Sequence, residues 1–265
     1  MKKTNIYDLY KLKEQNKKFA SITAYDATFA NLFFKKGIRT ILVGDSLGMT
    51  IQGHSSTVPV KIDEMMYHTK CVRRGAPSCL IISDLPFMSY NNINDALNNS
   101  KKLIQSGANI VKLEGGLWVS DIIHELNTRS IPVCGHIGLT PQSINMQGSY
   151  KIQGRNNNDA IRLMEEAISI EESGAKLLVL ECIIQKLSNN ITKKLNIPTI
   201  GIGSGKKTDG QILVMQDVLG ITIEGKIPSF SKNFTKNKFG IEKAIELYIE
   251  EVENELFPSE NHSFN

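Results

Sequence analysis

Short apolar or β-branched runs recur along the chain at Phe19–Ala24, Thr40–Val43, Leu80–Ser83, Ile110–Leu113, Ile131–Gly135, Leu177–Leu180, Thr199–Ile202 and Val218–Ile221. They are too short and too continuously apolar for amphipathic helices, so each predicts a strand. Between them, Ile62–Arg73, Asn94–Ser106 and Asp159–Ser173 carry apolar residues at helical spacing. Strands alternating with helices predict a parallel sheet covered by helices, either closed as a barrel or open and doubly wound. The length of 265 residues is close to the roughly 250 of one barrel domain and favours a single α/β (β/α)8 TIM barrel spanning 1–265. Residues 1–18 read as an additional N-terminal helix, and Gly240–Leu256 as a closing helix with Ile241, Ala244, Ile245, Tyr248 and Val252 facing the core. The polar tail Pro258–Asn265 is expected to lack fixed order.

One local pattern occurs twice. Ser106-Gly107-Ala108 leads, seven residues after its glycine, to Glu114, and Ser173-Gly174-Ala175 leads over the same interval to Glu181. Each glycine suits a helix C-cap, where the left-handed conformation ends one element before the next begins. Each carboxylate then falls at the C-terminal end of a strand. If these strands are the fourth and sixth, their inward side chains share barrel layers and converge.

Composition narrows the function classes. The hydrophobic content of 41% is enough for a full core, and 31 basic against 27 acidic residues leave a net charge of +4 dispersed along the chain. No basic stripe marks a nucleic-acid or membrane partner. The first residues lack the apolar run of a signal peptide, and no later apolar stretch reaches about 18 residues, so a soluble cytoplasmic protein is expected. Cys71, Cys79, Cys134 and Cys182 form no Cys-x-x-Cys pair, which argues for reduced thiols rather than zinc, redox or disulfide use.

Polar residues gather at one end of the strands: Asp45 and Ser46 after the second, Asp84 after the third, Lys112 and Glu114 on the fourth, His136 on the fifth and Glu181 on the sixth. In barrels that end holds the active site. A single acid after a strand is as readily a helix N-cap, but several together point to chemistry. Lys112 and Glu114, two apart, point to one side of their strand and form either a site pair or a structural ion pair. The acids outnumber the lysine, and a hard divalent cation with oxygen ligands, magnesium before zinc, would resolve the excess. Such an ion chelating a 2-oxo acid acidifies the neighbouring C–H, and the separate base this needs is Glu181 unless it too is a ligand. His136 either donates to developing enolate charge or is structural. Gly201-Ile202-Gly203-Ser204-Gly205 breaks the dinucleotide pattern at Lys206 and reads as a close-approach loop, with or without an anion. The polar stretch Gln52–Thr57 reads as a lid or as plain surface loop.

Several blocks carry a resemblance: Ala24-Tyr25-Asp26, Val43-Gly44-Asp45-Ser46-Leu47-Gly48-Met49, Arg73-Arg74-Gly75-Ala76-Pro77, Asp84-Leu85-Pro86-Phe87-Met88, Lys112-Leu113-Glu114-Gly115-Gly116, Gly135-His136-Ile137-Gly138-Leu139-Thr140-Pro141-Gln142, Gly201-Ile202-Gly203 and Thr208-Asp209-Gly210-Gln211. From about Thr4 to Phe264 the chain resembles the 3-methyl-2-oxobutanoate (ketopantoate) hydroxymethyltransferase family. The resemblance implies a (β/α)8 barrel that transfers a one-carbon unit from 5,10-methylenetetrahydrofolate to 3-methyl-2-oxobutanoate. The products are 2-dehydropantoate and tetrahydrofolate, in pantothenate biosynthesis, through a metal-stabilised enolate. It implies one magnesium per subunit, with Asp45, Asp84 and Glu114 binding it directly or through water. It also implies Ser46 and Lys112 on the oxo acid, together with Asp45 and Asp84, His136 near the substrate, Glu181 as the base at C3, and a homodecamer. The chain departs from the family pattern at Ile184, where proline is common, at Ser149 for glycine and at Ser204 for alanine. Two other readings stand beside this one: a magnesium-dependent barrel lyase for 2-oxo acids, disfavoured because no cysteine falls in a lid, and an inactive barrel retained for assembly.

Overall fold

The computed structural model describes residues 3–149, 151–223, 225, 227–236 and 240–265. The first two positions of the N-terminal extension expected over 1–18 lie outside them. In chain order the elements are α1 Ile6–Glu14, β1 Phe19–Thr23, α2 Ala27–Lys36, β2 Thr40–Val43, α3 Leu47–Thr50, α4 Ile62–Gly75, β3 Leu80–Asp84, α5 Ile93–Gln105, β4 Ile110–Glu114, α6 Ser120–Thr128 and β5 Val133–Gly138. There follow α7 Ile144–Gln147, α8 Asn157–Glu172, β6 Leu177–Glu181, α9 Gln185–Lys194, β7 Thr199–Ile202, β8 Gly210–Leu213, α10 Met215–Leu219 and α11 Gly240–Glu253. The strands pair in parallel in sequence order and β8 closes on β1, so the sheet is a (β/α)8 barrel with α1 added before it. Among the described residues no helix is long and apolar enough to cross a membrane.

Strand alternation divides the core in two. Ile22, Ile41, Ile81, Val111, Leu113, Val133, Leu178 and Leu180 point outward and pack with helix residues such as Phe33, Met65, Val72, Leu103 and Ile170. Phe19, Leu42, Leu80, Ile82, Ile110, Cys134, Leu177, Val179, Ile200 and Ile212 point inward. Leu9 of α1 is buried in this inner cluster with Ile6 and Leu12 packed beside it, so the added helix plugs the N-terminal end of the barrel. Asn5 caps that helix by accepting from the Asp8 amide at 3.2 Å, and Lys13 anchors it to Asp209 at 2.8 Å. The plug leaves the opposite end for polar side chains.

The eighth strand departs from expectation. Val218–Ile221 is no strand; Val218 and Leu219 end α10 with buried side chains against the outer core, and β8 is Gly210–Leu213. The chain Gly-Gln-Ile-Leu hides its strand character because Gly210 has no side chain to signal it. A Cβ there would stand 2.4 Å from the Phe19 ring, so the position is kept bare for close packing. The Pro258–Asn265 tail also departs, because it has fixed contacts. Phe257 is buried against Phe234 and Tyr248, Phe264 meets Phe230 edge-on at 6.4 Å, and the Phe264 carbonyl accepts from the Gln185 amide at 2.8 Å. Two aromatic anchors outweigh the polarity of the segment.

Candidate active site

The twin glycine motif works as anticipated. Gly107 and Gly174 follow the ends of α5 and α8 at φ +113° and +100°, and each feeds a strand that ends on a carboxylate. Register then fixes height. Glu114 pairs with His136 across β4 and β5, and His136 pairs with Val179 across β5 and β6, two residues short of Glu181. A barrel of this kind staggers by about one residue per strand, so two strand steps bring Glu114 and Glu181 to one level. His136 lies between them, with Nδ1 3.3 Å from Glu114 Oε1 and Nε2 3.2 Å from Glu181 Oε2.

Lys112, one inward position below Glu114, is the hub of the cluster. Its Nζ lies 2.9 Å from Asp84 Oδ1, 3.7 Å from Glu114 Oε1 and 3.5 Å from His136 Nδ1. Asp45 joins from the turn after β2, its backbone N–H donating to Asp84 Oδ2 at 3.0 Å. The side chains of Lys112, Asp84, Glu114 and His136 are 2–4% exposed, whereas Glu181 is 14% exposed, at the open edge. Ser46 follows Asp45, and the buried Tyr25 hydroxyl shares a 2.9 Å hydrogen bond with it. The structure therefore brings all seven residues singled out from the sequence to one barrel mouth.

Burial at these positions disfavours charge, and neighbours decide which groups keep it. Burial drives the Asp45 carboxyl well above the ordinary carboxylate range, and Asp84 and Glu114 push it further. Burial also raises Asp84, against the pull of Lys112. Glu114 resists burial because His136 and Lys112 stabilise its charge, and its pKa falls. Burial opposes the Lys112 ammonium, but Asp84, Glu114 and Asp45 outweigh it and lift the pKa above the ordinary lysine value. His136 is opposed by burial and by Lys112, yet Glu114 and Glu181 raise it to about 9. Four carboxyl groups face two cations.

Two further residues hold this cluster: Gln142, which closes a sequence block that gave it no role, and Tyr90, which lies outside those blocks. Gln142 donates its backbone N–H to Glu114 Oε2 at 3.1 Å and its side-chain amide to Asp45 Oδ2 at 2.8 Å and the Leu85 carbonyl at 2.9 Å. Tyr90 donates its hydroxyl to Gln142 Oε1 at 2.6 Å and accepts from the Glu114 amide at 3.2 Å. The Pro141–Ser143 turn, opened by a proline, was the available sign that Gln142 is held rigidly. Asp84 Oδ1 and His136 Nε2 lie at ion-pair distance from partners but outside hydrogen-bonding direction, and both are buried. Among the described residues, no three His, Cys, Asp or Glu side chains stand where they would hold a metal ion by themselves.

The model of one protein family, ketopantoate hydroxymethyltransferase, matches residues 3–260. The chain belongs to the ketopantoate hydroxymethyltransferase family. It is an enzyme of the hydroxymethyltransferase class. Among its relatives, the 3-methyl-2-oxobutanoate hydroxymethyltransferase of Buchnera aphidicola subsp. Acyrthosiphon pisum (strain APS) is 59% identical over 264 residues, covering 100% of both chains. That of Pectobacterium atrosepticum is 53% identical over 265 residues, again covering 100% of both. Solved structures share the barrel at far lower identity. A phosphonopyruvate hydrolase complexed with oxalate and Mg++ superposes with a TM-score of 0.61 at 12% identity over 81% of each chain. The 2,3-dimethylmalate lyase, a member of the PEP mutase/isocitrate lyase superfamily, superposes with a TM-score of 0.56 at 12% identity over 78% of this chain and 80% of its own.

Membership in the hydroxymethyltransferase family gives the departures a meaning. Ser204 Oγ donates to the Leu180 carbonyl at 2.8 Å and accepts from the Ile183 amide at 3.2 Å. It ties the β7 loop to the segment just after Glu181. Ile184 has φ −54°, a value proline would adopt, but its N–H is used, donating to the Gln153 carbonyl at 3.2 Å. Nothing in the structure explains Ser149.

Proposed function

We propose that the chain transfers a hydroxymethyl group from 5,10-methylenetetrahydrofolate to 3-methyl-2-oxobutanoate, giving 2-dehydropantoate and tetrahydrofolate. The observation that carries this reading is the division of the carboxylates. Asp45 and Asp84 are linked on one side of the mouth, while Glu181 stands across it with His136 as its polar neighbour. Deprotonation of carbon beside a carbonyl needs that separation of an electrophilic side from a basic one.

The donor set fits magnesium. Asp45 and Asp84 offer carboxylate oxygens, Asp84 Oδ1 facing Lys112 at 2.9 Å, and burial, with Asp84 and Glu114 adding to it, disfavours ionisation of Asp45 until a cation enters. Both Glu114 oxygens are already engaged by Lys112, His136 and Gln142, so Glu114 serves the ion through water. When bound, the ion supplies Lewis-acid withdrawal of charge from the oxo acid's oxygens.

Lys112 and the Ser46 hydroxyl hold the oxo acid by charge and hydrogen bond, and Glu181 takes the C3 proton. The electron pair left on C3 forms the bond to the donor's methylene carbon. Both donor carbon–nitrogen bonds break with their electrons on nitrogen. The nitrogens take up the proton from Glu181 and one from water, and the hydroxide remains on the transferred carbon. His136, protonated between two glutamates, orients Glu181 and offers positive charge to the oxyanion that develops. The apolar inner layer under Lys112 keeps bulk water from below.

The test is exchange of the C3 proton of 3-methyl-2-oxobutanoate in deuterated water, followed by product formation when 5,10-methylenetetrahydrofolate is added. Magnesium-dependent exchange and 2-dehydropantoate are expected, and the absence of both overturns the reading. A cytoplasmic homodecamer accompanies this reading by the family resemblance, exposed side chains such as Tyr7 and Met146 offer apolar surface for association, and sedimentation velocity tests the assembly.

A further inference from the structure

Trp118 is the chain's single tryptophan and lies in the turn Leu117–Val119, four residues beyond Glu114. Its residue surface is 59% exposed, yet the ring is held firmly. One face stacks on Tyr90, with centroids 5.8 Å apart and planes 11° from parallel. Its edge presses on Gly115, whose φ is +146° and where a Cβ would stand 2.6 Å from the indole nitrogen. Tyr90 in turn bonds Gln142 and the Glu114 backbone. The indole is thus fixed relative to the acid cluster through a single intervening side chain.

Exposure with immobility is an unusual state for an indole. Water gains nothing from so large an apolar surface, and a ring already fixed loses little entropy when another ring stacks on it. The surrounding rim is apolar too, with Phe87 and Met88 exposed in the neighbouring β3 loop and Leu117 beside the indole. On the opposite rim Tyr25 is buried onto Ser46 and Gln185 is hydrogen-bonded to the Pro258–Asn265 segment, so neither position offers an exposed ring. A flat ring approaching the cluster therefore meets an open aromatic surface on the β3–β4 side alone of these two.

We propose that the exposed flank of Trp118, backed by Tyr90, is the subsite for the flat conjugated ring of the one-carbon donor. The proposal rests on the reaction given under Proposed function, and it assigns the donor's side of the mouth. The acceptor occupies the buried acids and Lys112. The donor's flat ring stacks on the indole at the rim and extends its methylene carbon toward C3.

The experiment compares wild type, Trp118→Ala and Trp118→Phe in two assays: KM for 5,10-methylenetetrahydrofolate, and C3-proton exchange with no donor present. For Trp118→Ala the donor KM is expected to rise about tenfold, the scale of one lost aromatic stack, while donor-free exchange falls less than about threefold. Trp118→Phe keeps a stacking face and is expected to recover most of the affinity. In wild type, titration with tetrahydrofolate should alter the emission of this sole tryptophan, saturating in the same concentration range as the donor KM. An unchanged donor KM in Trp118→Ala overturns the proposal. So does a risen KM accompanied by a smaller sedimenting species, because a second copy of the chain would then be what covers the indole. Failure of exchange and product in wild type would instead strike the reaction itself.

Discussion

The two ends of the barrel are built from the same eight strands and filled in opposite ways. At the N-terminal end, Leu9 of α1 is buried in one cluster with Phe19, Leu80, Ile110 and Leu177, an apolar plug with the Lys13–Asp209 pair beside it. At the C-terminal end, one or two inward positions further along, Asp84, Lys112, Glu114 and His136 are just as buried. The contrast separates two kinds of burial. The plug contributes stability through area removed from water. The charged layer is held by mutual compensation, since each ion out of water costs several kcal/mol unless a partner offsets it. The proposed chemistry belongs to the end where compensation is incomplete.

Removing the hub should break this contrast most severely. Lys112→Met leaves three carboxyl groups without their shared cation, and a stability loss of about 3–5 kcal/mol is expected by urea denaturation, with C3-proton exchange abolished. A Lys112→Met protein as stable and active as wild type would show that the layer is not held by compensation. The complementary change is Leu9→Ala in the plug. It should remove about 3 kcal/mol of stability while the exchange rate of the folded protein stays within about threefold. Lost turnover in a fully folded Leu9→Ala protein would mean that the two ends are mechanically coupled.

How much of this was legible in the sequence follows the same division. The first seven strands announce themselves because each carries a run of apolar or β-branched residues, and the twin glycines mark where Glu114 and Glu181 emerge. The eighth does not, because Gly210 and Gln211 face close-packed and polar surroundings, leaving Ile212 and Leu213 as its whole apolar signal. Val218 and Leu219 mimic a strand while burying helix faces. At the site, the acids, Lys112 and His136 could be read because their types are rare beside strands. Gln142 and Tyr90 could not, since their role arises from long-range contacts, 97 residues apart for Gln142 with Asp45. The tail's average polarity hides its anchors, because Phe257 just before it and Phe264 within it decide where it lies.

Smaller changes sharpen the comparison at the mouth. Ser204→Ala restores the residue common in the family but strips the Ile183 amide of its buried acceptor. A loss of about 1–2 kcal/mol is expected by thermal denaturation, with slower exchange because the Glu181 loop is loosened. Ile184→Pro should alter stability by less than about 1 kcal/mol, since the compatible φ and the lost hydrogen bond to Gln153 oppose each other. A combined Ser204→Ala and Ile184→Pro protein that recovers wild-type exchange would show that either device stiffens the same loop.

The central claim is that Glu181 is the base and stands apart from the Asp45 and Asp84 pair. Its most direct test is donor-free C3-proton exchange of 3-methyl-2-oxobutanoate by Glu181→Gln, read by proton NMR alongside calorimetric binding of the oxo acid with magnesium. Binding close to wild type with exchange slowed by about a hundredfold to ten-thousandfold is the expected result. Exchange at the wild-type rate would contradict the account.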